Sequence, residues 1–137
     1  MKRAMPRKSA EGRPAARRRL VSSRIAIKRI YDPVEAGDGV RILIDRLWPR
    51  GLSKASLKLD AWAKELSPSN ELRKWYGHDP KRYAEFVRRY RSELATRKHD
   101  LTALRTMIKG RTATLLTATR ELDLSHATVL RELLSKR

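Results

Sequence analysis

A chain of 137 residues with 40% apolar side chains suffices for one domain with a modest core and is cramped for two. The lack of cysteine excludes disulfides, thiolate metal sites and cysteine nucleophiles, and fits a reducing, cytoplasmic setting. A formal net charge of +18 draws phosphate polyanions in a salt-dependent way but confers no sequence specificity.

The charge is spread over two parts. Residues 1–24 carry nine lysines and arginines against the single carboxylate of Glu11, and the remainder is basic as well. This first segment is rich in Arg, Ala and Pro with no sustained apolar period, so it reads as a disordered basic tail, and residues 25–137 read as a single domain. No run reaches the length of a membrane span and the charged amino terminus lacks the apolar centre of a secretory signal, so no membrane partner is expected.

From Ile25 a β-prone run continues to about Tyr31, followed by a loop containing Pro33, Gly37 and Gly39. A second strand spans Val40 to Leu47. The loop between them, about nine residues, is short for a parallel crossover, so a hairpin and a crossover both stay open. Helical segments follow at roughly Leu57–Leu66, at Pro68–Tyr76, and from Pro80 onward. Asp79 is suited to cap that last helix, and Tyr83, Phe86, Val87, Tyr90 and Leu94 recur at helical spacing along it. More helix carries Leu101, Leu104 and Ile108 before Gly110. Thr112–Ala118 has the length and β-branched content of a third strand, and Ser125 is placed to cap a final helix. The expected fold is an α/β domain whose small sheet, of about three strands and at least partly parallel, packs with helices.

One segment carries more chemistry than a strand needs. From Ile42 to Gly51 an apolar run ends abruptly in Asp45, Arg46, Trp48 and Arg50 with a Pro/Gly turn. In open α/β sheets, ligands bind beyond the carboxyl ends of the strands. If the second and third strands are neighbours, their exits gather Asp45 and Arg46 near Arg120 and Glu121.

Three collinear segments also resemble a known family: Lys28-Arg29-Ile30-Tyr31-Asp32-Pro33, the run from Asp38 to Gly51, and the run from Pro68 to Pro80 that includes Arg73, Trp75, His78 and Asp79. They are similar to the YeaO-like proteins of the domain-of-unknown-function 488 group, over about Ile25 to Leu134. The resemblance implies a compact α/β domain with no established reaction. It places site interest on Lys28, Arg29, Asp45, Arg46, Trp48, Arg50, Arg73, Trp75, His78 and Asp79. After the third strand the family usually has an aromatic residue, then a basic residue followed by Asp, and later a small polar residue before His. Here the run is Thr117-Ala118-Thr119-Arg120-Glu121, then Ser125-His126, without the aromatic and with Glu for Asp.

The candidate anion-binding residues are Arg46, Arg50 and Arg120, whose planar forks suit phosphate or carboxylate, together with Lys28. His126 is the titratable candidate for acid–base work, with Asp45 and Glu121 as further catalytic candidates. Asp45 has a plainer alternative, an ion pair with an arginine that holds the loop. Trp48 is read as a stacking or pocket residue, while Trp62 and Trp75 are read as core. His78 is expected to support a turn, and Arg88, Arg89 and Arg91 to line an exposed helix side. No phosphate-loop, dinucleotide-fingerprint or HisGluXaaXaaHis pattern occurs, and neither a metal nor a cofactor is expected. The chain is thus expected to bind a phosphorylated or other anionic ligand at the strand ends, with cofactor-free catalysis left open. The alternative is a noncatalytic nucleic-acid-binding or regulatory module using the basic surface and tail.

Overall fold

The computed structural model describes residues 24–136; the tail expected to be disordered lies, apart from Arg24, outside the described residues. Four strands form one parallel sheet: β1 (Ile25–Arg29), β2 (Val40–Leu43), β3 (Ala61–Trp62) and β4 (Ala113–Thr117), in the spatial order β1-β4-β2-β3. The helices are α1 (Lys54–Leu57), α2 (Asn70–Tyr76), α3 (Tyr83–Ala95), α4 (Lys98–Ile108) and α5 (His126–Ser135).

Every residue of β2 and β4 is buried, as expected for central parallel strands covered on both faces. Alternation sorts their side chains into two cores. Val40, Ile42, Ala113 and Leu115 join α2, α3, α4 and α5 in the larger one. Leu43 and Leu116 turn the other way, to Ile30, Leu57 and the ring of Trp48.

Of the two connections left open, the crossover occurs and the hairpin does not: β4 inserts between β1 and β2 and pairs in parallel with both, so the short loop carries the chain across one strand. The connecting loop is pinned at its far end. Gly39 has φ +65°, and a Cβ there would lie 2.1 Å from the Thr112 carbonyl oxygen, which accepts a hydrogen bond from Val40 N–H at 2.9 Å. Buried Asp38 holds the same loop through Lys28 Nζ at 2.9 Å and Arg41 Nη1 at 2.5 Å.

The helix expected over Leu57–Leu66 is also corrected. The chain leaves α1 through Lys58, in the left-handed region at φ +48°, runs as β3 along β2, and closes with a 3-10 turn at Lys64–Leu66. The open edge of β2 explains the change, since its backbone groups need partners that a helix cannot supply. Asp60 N–H donates to the Arg41 carbonyl, the Asp60 carboxylate accepts from Arg41 N–H, and Ala63 N–H donates to the Leu43 carbonyl, each at 2.8 Å.

α2 and α5 start at serine caps, and Asp79 caps the 3-10 turn Pro80–Arg82 that leads into α3. Ser69 Oγ accepts from Leu72 N–H, Asp79 from Lys81 N–H, and Ser125 Oγ from Ala127 N–H. The chain after β2 leads outward to β3, whereas the chain after β4 enters α5, which packs back against β1. The connections therefore diverge between β2 and β4, which makes their carboxyl ends the crevice of the sheet.

Candidate functional site

A cleft of about 650 Å³ opens at that crevice. Its polar wall comes from the two strand exits and α5. Strand pairing carries on one step past β2, with Ile44 N–H donating to the Leu116 carbonyl at 3.0 Å. Asp45, the next residue, then turns its carboxylate onto the β4 exit. One oxygen accepts from Thr117 Oγ1 at 2.7 Å and the other from Ala118 N–H at 2.8 Å.

His126 completes this lock. Its Nε2 lies 3.1 Å from Asp45 Oδ1 and 3.1 Å from the Ile44 carbonyl oxygen. A carbonyl can only accept, so Nε2 carries a proton and is shared between two acceptors. The ring is set by the Ser125 cap at the start of α5 and meets the edge of Tyr90 at 6.2 Å between centroids. Burial pushes the Asp45 carboxyl upward, but the bond from His126, its proximity, the Ala118 N–H and the Thr117 hydroxyl together outweigh burial and hold it below its ordinary value. The ion pair expected between Asp45 and an arginine is thus replaced by a pair with His126.

The cations face the cleft differently. Arg46, Arg50, Arg73 and Arg120 all line it, and among the described residues none of the four forms an ion pair. Arg73 reaches only Asn70 Oδ1, at 3.3 Å. Among the described residues Arg46 alone of these four has a buried nitrogen without an acceptor, its Nε, as do Arg29 and Arg41 outside the lining; its Nη2 makes a long contact of 3.5 Å to the Ser67 carbonyl. A buried donor without a partner is costly, and in native proteins such groups call for an explanation. Only Asp45, already engaged, and exposed Glu121 bring carboxylates to the lining.

The remaining candidates are distributed as follows. Lys28 does not line the cleft; its ammonium donates to the Pro33 carbonyl, Glu35 and Asp38. Trp48 lines the cleft, with its Nε1–H donating to the Leu52 carbonyl at 2.7 Å and its ring edge-on to Trp62 at 5.3 Å. Trp62, expected in the core, is 37% exposed on β3. Its Nε1–H donates to the Asp45 carbonyl, so it braces the strand exit. Trp75 packs against the larger core beneath Arg82 and Arg89. Arg88 and Arg89 pair with Glu85, and Arg91 with Glu132, as suits a solvated helix side.

Arg73 and His78, on which the resemblance places site interest, join the site with Tyr76 and Phe86, which the sequence reading did not assign to it. Arg73, Tyr76 and His78 come from α2 and its exit, where Gly77 and His78 both have positive φ, and Phe86 comes from α3. The motif from Pro68 to Pro80, which spans the first three, was the available signal for them. Chemically, the site offers guanidinium forks and a pinned imidazole. His126 has only Nδ1 left for proton exchange, and among the described residues no hydroxyl is bonded to it.

A family model described as the inactive DUF488-N3 subclade matches residues 24–137. The uncharacterized protein YeaO of Escherichia coli is 45% identical over 106 residues, covering 77% of this chain and 92% of that relative. An uncharacterized protein of Mycobacterium tuberculosis is 43% identical over 118 residues, covering 84% of this chain and 97% of the relative. No solved structure matches the chain.

Proposed function

The chain belongs to the YeaO-like DUF488 family, and from that premise we propose that it is an anion-binding domain that takes a phosphorylated or other anionic ligand in the cleft at the strand ends, without turning it over. The observation that carries this reading is Arg46. Arg46 lines the cleft with a barely engaged Nη2 and, among the described residues, an unpartnered buried Nε; a turn of the side chain that brings Nε to the cleft offers a bidentate oxyanion both donors. Arg50, Arg73 and Arg120, also free of ion pairs among the described residues, add positive potential around it.

Binding without turnover is supported by how the titratable groups are used. Asp45 is held ionised and bonded to three donors, which makes it a poor base and a good brace. His126 spends its Nε2 proton on that brace. The description of the matching family model as an inactive subclade agrees. A second reading, nonspecific nucleic-acid binding, draws on the net charge of +18 and needs no cleft.

Capture of ligands from a bacterial extract separates the two. The full chain, Arg46→Ala and a variant lacking residues 1–24 are compared by mass spectrometry and nucleic-acid sequencing of what they retain. A small anion retained by the full chain and missing from Arg46→Ala supports the cleft. Nucleic acid lost only on removal of residues 1–24, with no small anion on any of the three, overturns it in favour of the second reading.

A further inference from the structure

The cleft is built for more than an anionic head. Its lining also carries apolar side chains, Leu47 and Leu124 among them, and Trp48 and Tyr76 there have already spent their polar atoms. Tyr76 donates its hydroxyl to the Leu124 carbonyl at 2.6 Å, and Trp48 its indole N–H to the Leu52 carbonyl. Half-buried Trp48 therefore offers ring surface to the cleft, whereas Tyr76, stacked on Phe86 at 4.4 Å between centroids, is 5% exposed and Phe86 2%, so this pair is the packed floor beneath it. Leu47, directly beside Arg46 and also in the lining, is 66% exposed, more than any other large apolar side chain among the described residues.

Apolar lining of this kind gains free energy only when an apolar surface displaces water from it. An inorganic oxyanion would leave it wet. A volume of 650 Å³ falls within the range of about 300–1,000 Å³ typical of pockets that enclose organic ligands, in which a few polar groups fix orientation and apolar walls supply contact. The unpaired guanidiniums state the sign of the head, and Leu47 and the Trp48 ring state the character of the body.

We infer that the ligand is an amphipathic organic anion, a single phosphate or carboxylate head on an apolar body, with the head on Arg46 and the body against Leu47 and Trp48. This rests on the anion-binding reading of the same cleft and adds the chemical class of the ligand. Phosphate and carboxylate heads share the fork geometry, so the test carries both.

Calorimetric titrations of the full chain with phenyl phosphate, inorganic phosphate, benzoate and acetate provide it. At least one aromatic anion binds about tenfold or more tightly than its small counterpart, the scale expected for burying one ring face. That advantage, read as the ratio of aromatic to small-anion affinity, shrinks several-fold in Leu47→Ser, a change at an exposed position. Equal affinity for the aromatic and small anions overturns the inference and leaves the anion-binding reading standing, as does an aromatic advantage unchanged in Leu47→Ser. No binding of any of the four overturns both.

Discussion

The Nε2 of His126 lies 3.1 Å from Asp45 Oδ1, and this contact, with that to the Ile44 carbonyl, ties the start of α5 to the exit of β2. Asp45 also receives Thr117 Oγ1 and Ala118 N–H from the β4 exit, so a single carboxylate fixes three segments at the mouth of the cleft. Asp45→Asn keeps the shape but puts an NH2 group where an acceptor is needed, so at least one of these donors loses its partner. The expected destabilisation is about 1–3 kcal/mol, measured as a lowered urea midpoint with an unchanged slope.

The same carboxylate shapes the acid limb of stability. Asp45 and Asp38 are both held below their ordinary value of 3.8: burial opposes this, and it is outweighed at Asp45 by His126, Ala118 N–H and Thr117, and at Asp38 by Lys28, Glu35 N–H and Arg41. A carboxylate with a depressed folded pKa contributes stability that is complete above its unfolded value and disappears as pH falls through the folded one. Lys28 is raised above 10.5, chiefly by its bond to Asp38, so its contribution is complete below that value and is lost as pH rises through the folded pKa. Thermal unfolding followed across pH is expected to weaken at both ends, below about 4 and above about 10. Asp45→Asn flattens the acid limb and leaves the alkaline limb alone.

Removing Arg46 is expected to separate stability from binding. Its buried Nε–H has no acceptor, so Arg46→Leu removes an unsatisfied donor along with the cleft's principal anion contact. Chemical denaturation should show stability equal to or up to about 1 kcal/mol above that of the parent, while anion affinity falls by tenfold or more. A marked loss of stability would mean that Arg46 serves the fold instead.

Gly39 tests the connection that lets β4 sit between β1 and β2. Its φ of +65°, and the 2.1 Å that would separate a Cβ at this position from the Thr112 carbonyl oxygen, leave no room for a side chain. Gly39→Ala is expected to cost about 3 kcal/mol or more, through backbone strain and the displaced Thr112. Gly37, where a Cβ meets nothing within 4 Å, is the control, and Gly37→Ala should change the urea midpoint little.

Much of the site was readable from Ile42 to Gly51, because a carboxylate, guanidiniums and an indole crowd the end of an apolar strand without a packing reason. The Ser125 cap and the apolar period after it likewise placed α5 and, with it, His126. What escaped was set by distant parts of the chain. β3 is two residues long and extended because the open edge of β2 holds it, which no local propensity records. The insertion of β4 between β1 and β2 pairs residues more than seventy positions apart. Tyr76 and Phe86 have the helical spacing of core residues, which they also are; only the packing of α2 and α3 beside the strand exits turns them into a cleft wall. Lys28 reads as a free cation in the sequence, yet Glu35 and Asp38 in the following loop fold back onto its ammonium.

The most direct measurement of the central claim is the Nε–H resonance of Arg46 in a two-dimensional proton–nitrogen spectrum, assigned by its loss in Arg46→Lys and followed through a titration with inorganic phosphate at fixed ionic strength. A saturable shift of this signal is expected as Nε gains an acceptor, well before the exposed arginines of α3 respond. A signal that stays put while those surface arginines drift together without saturation would contradict it.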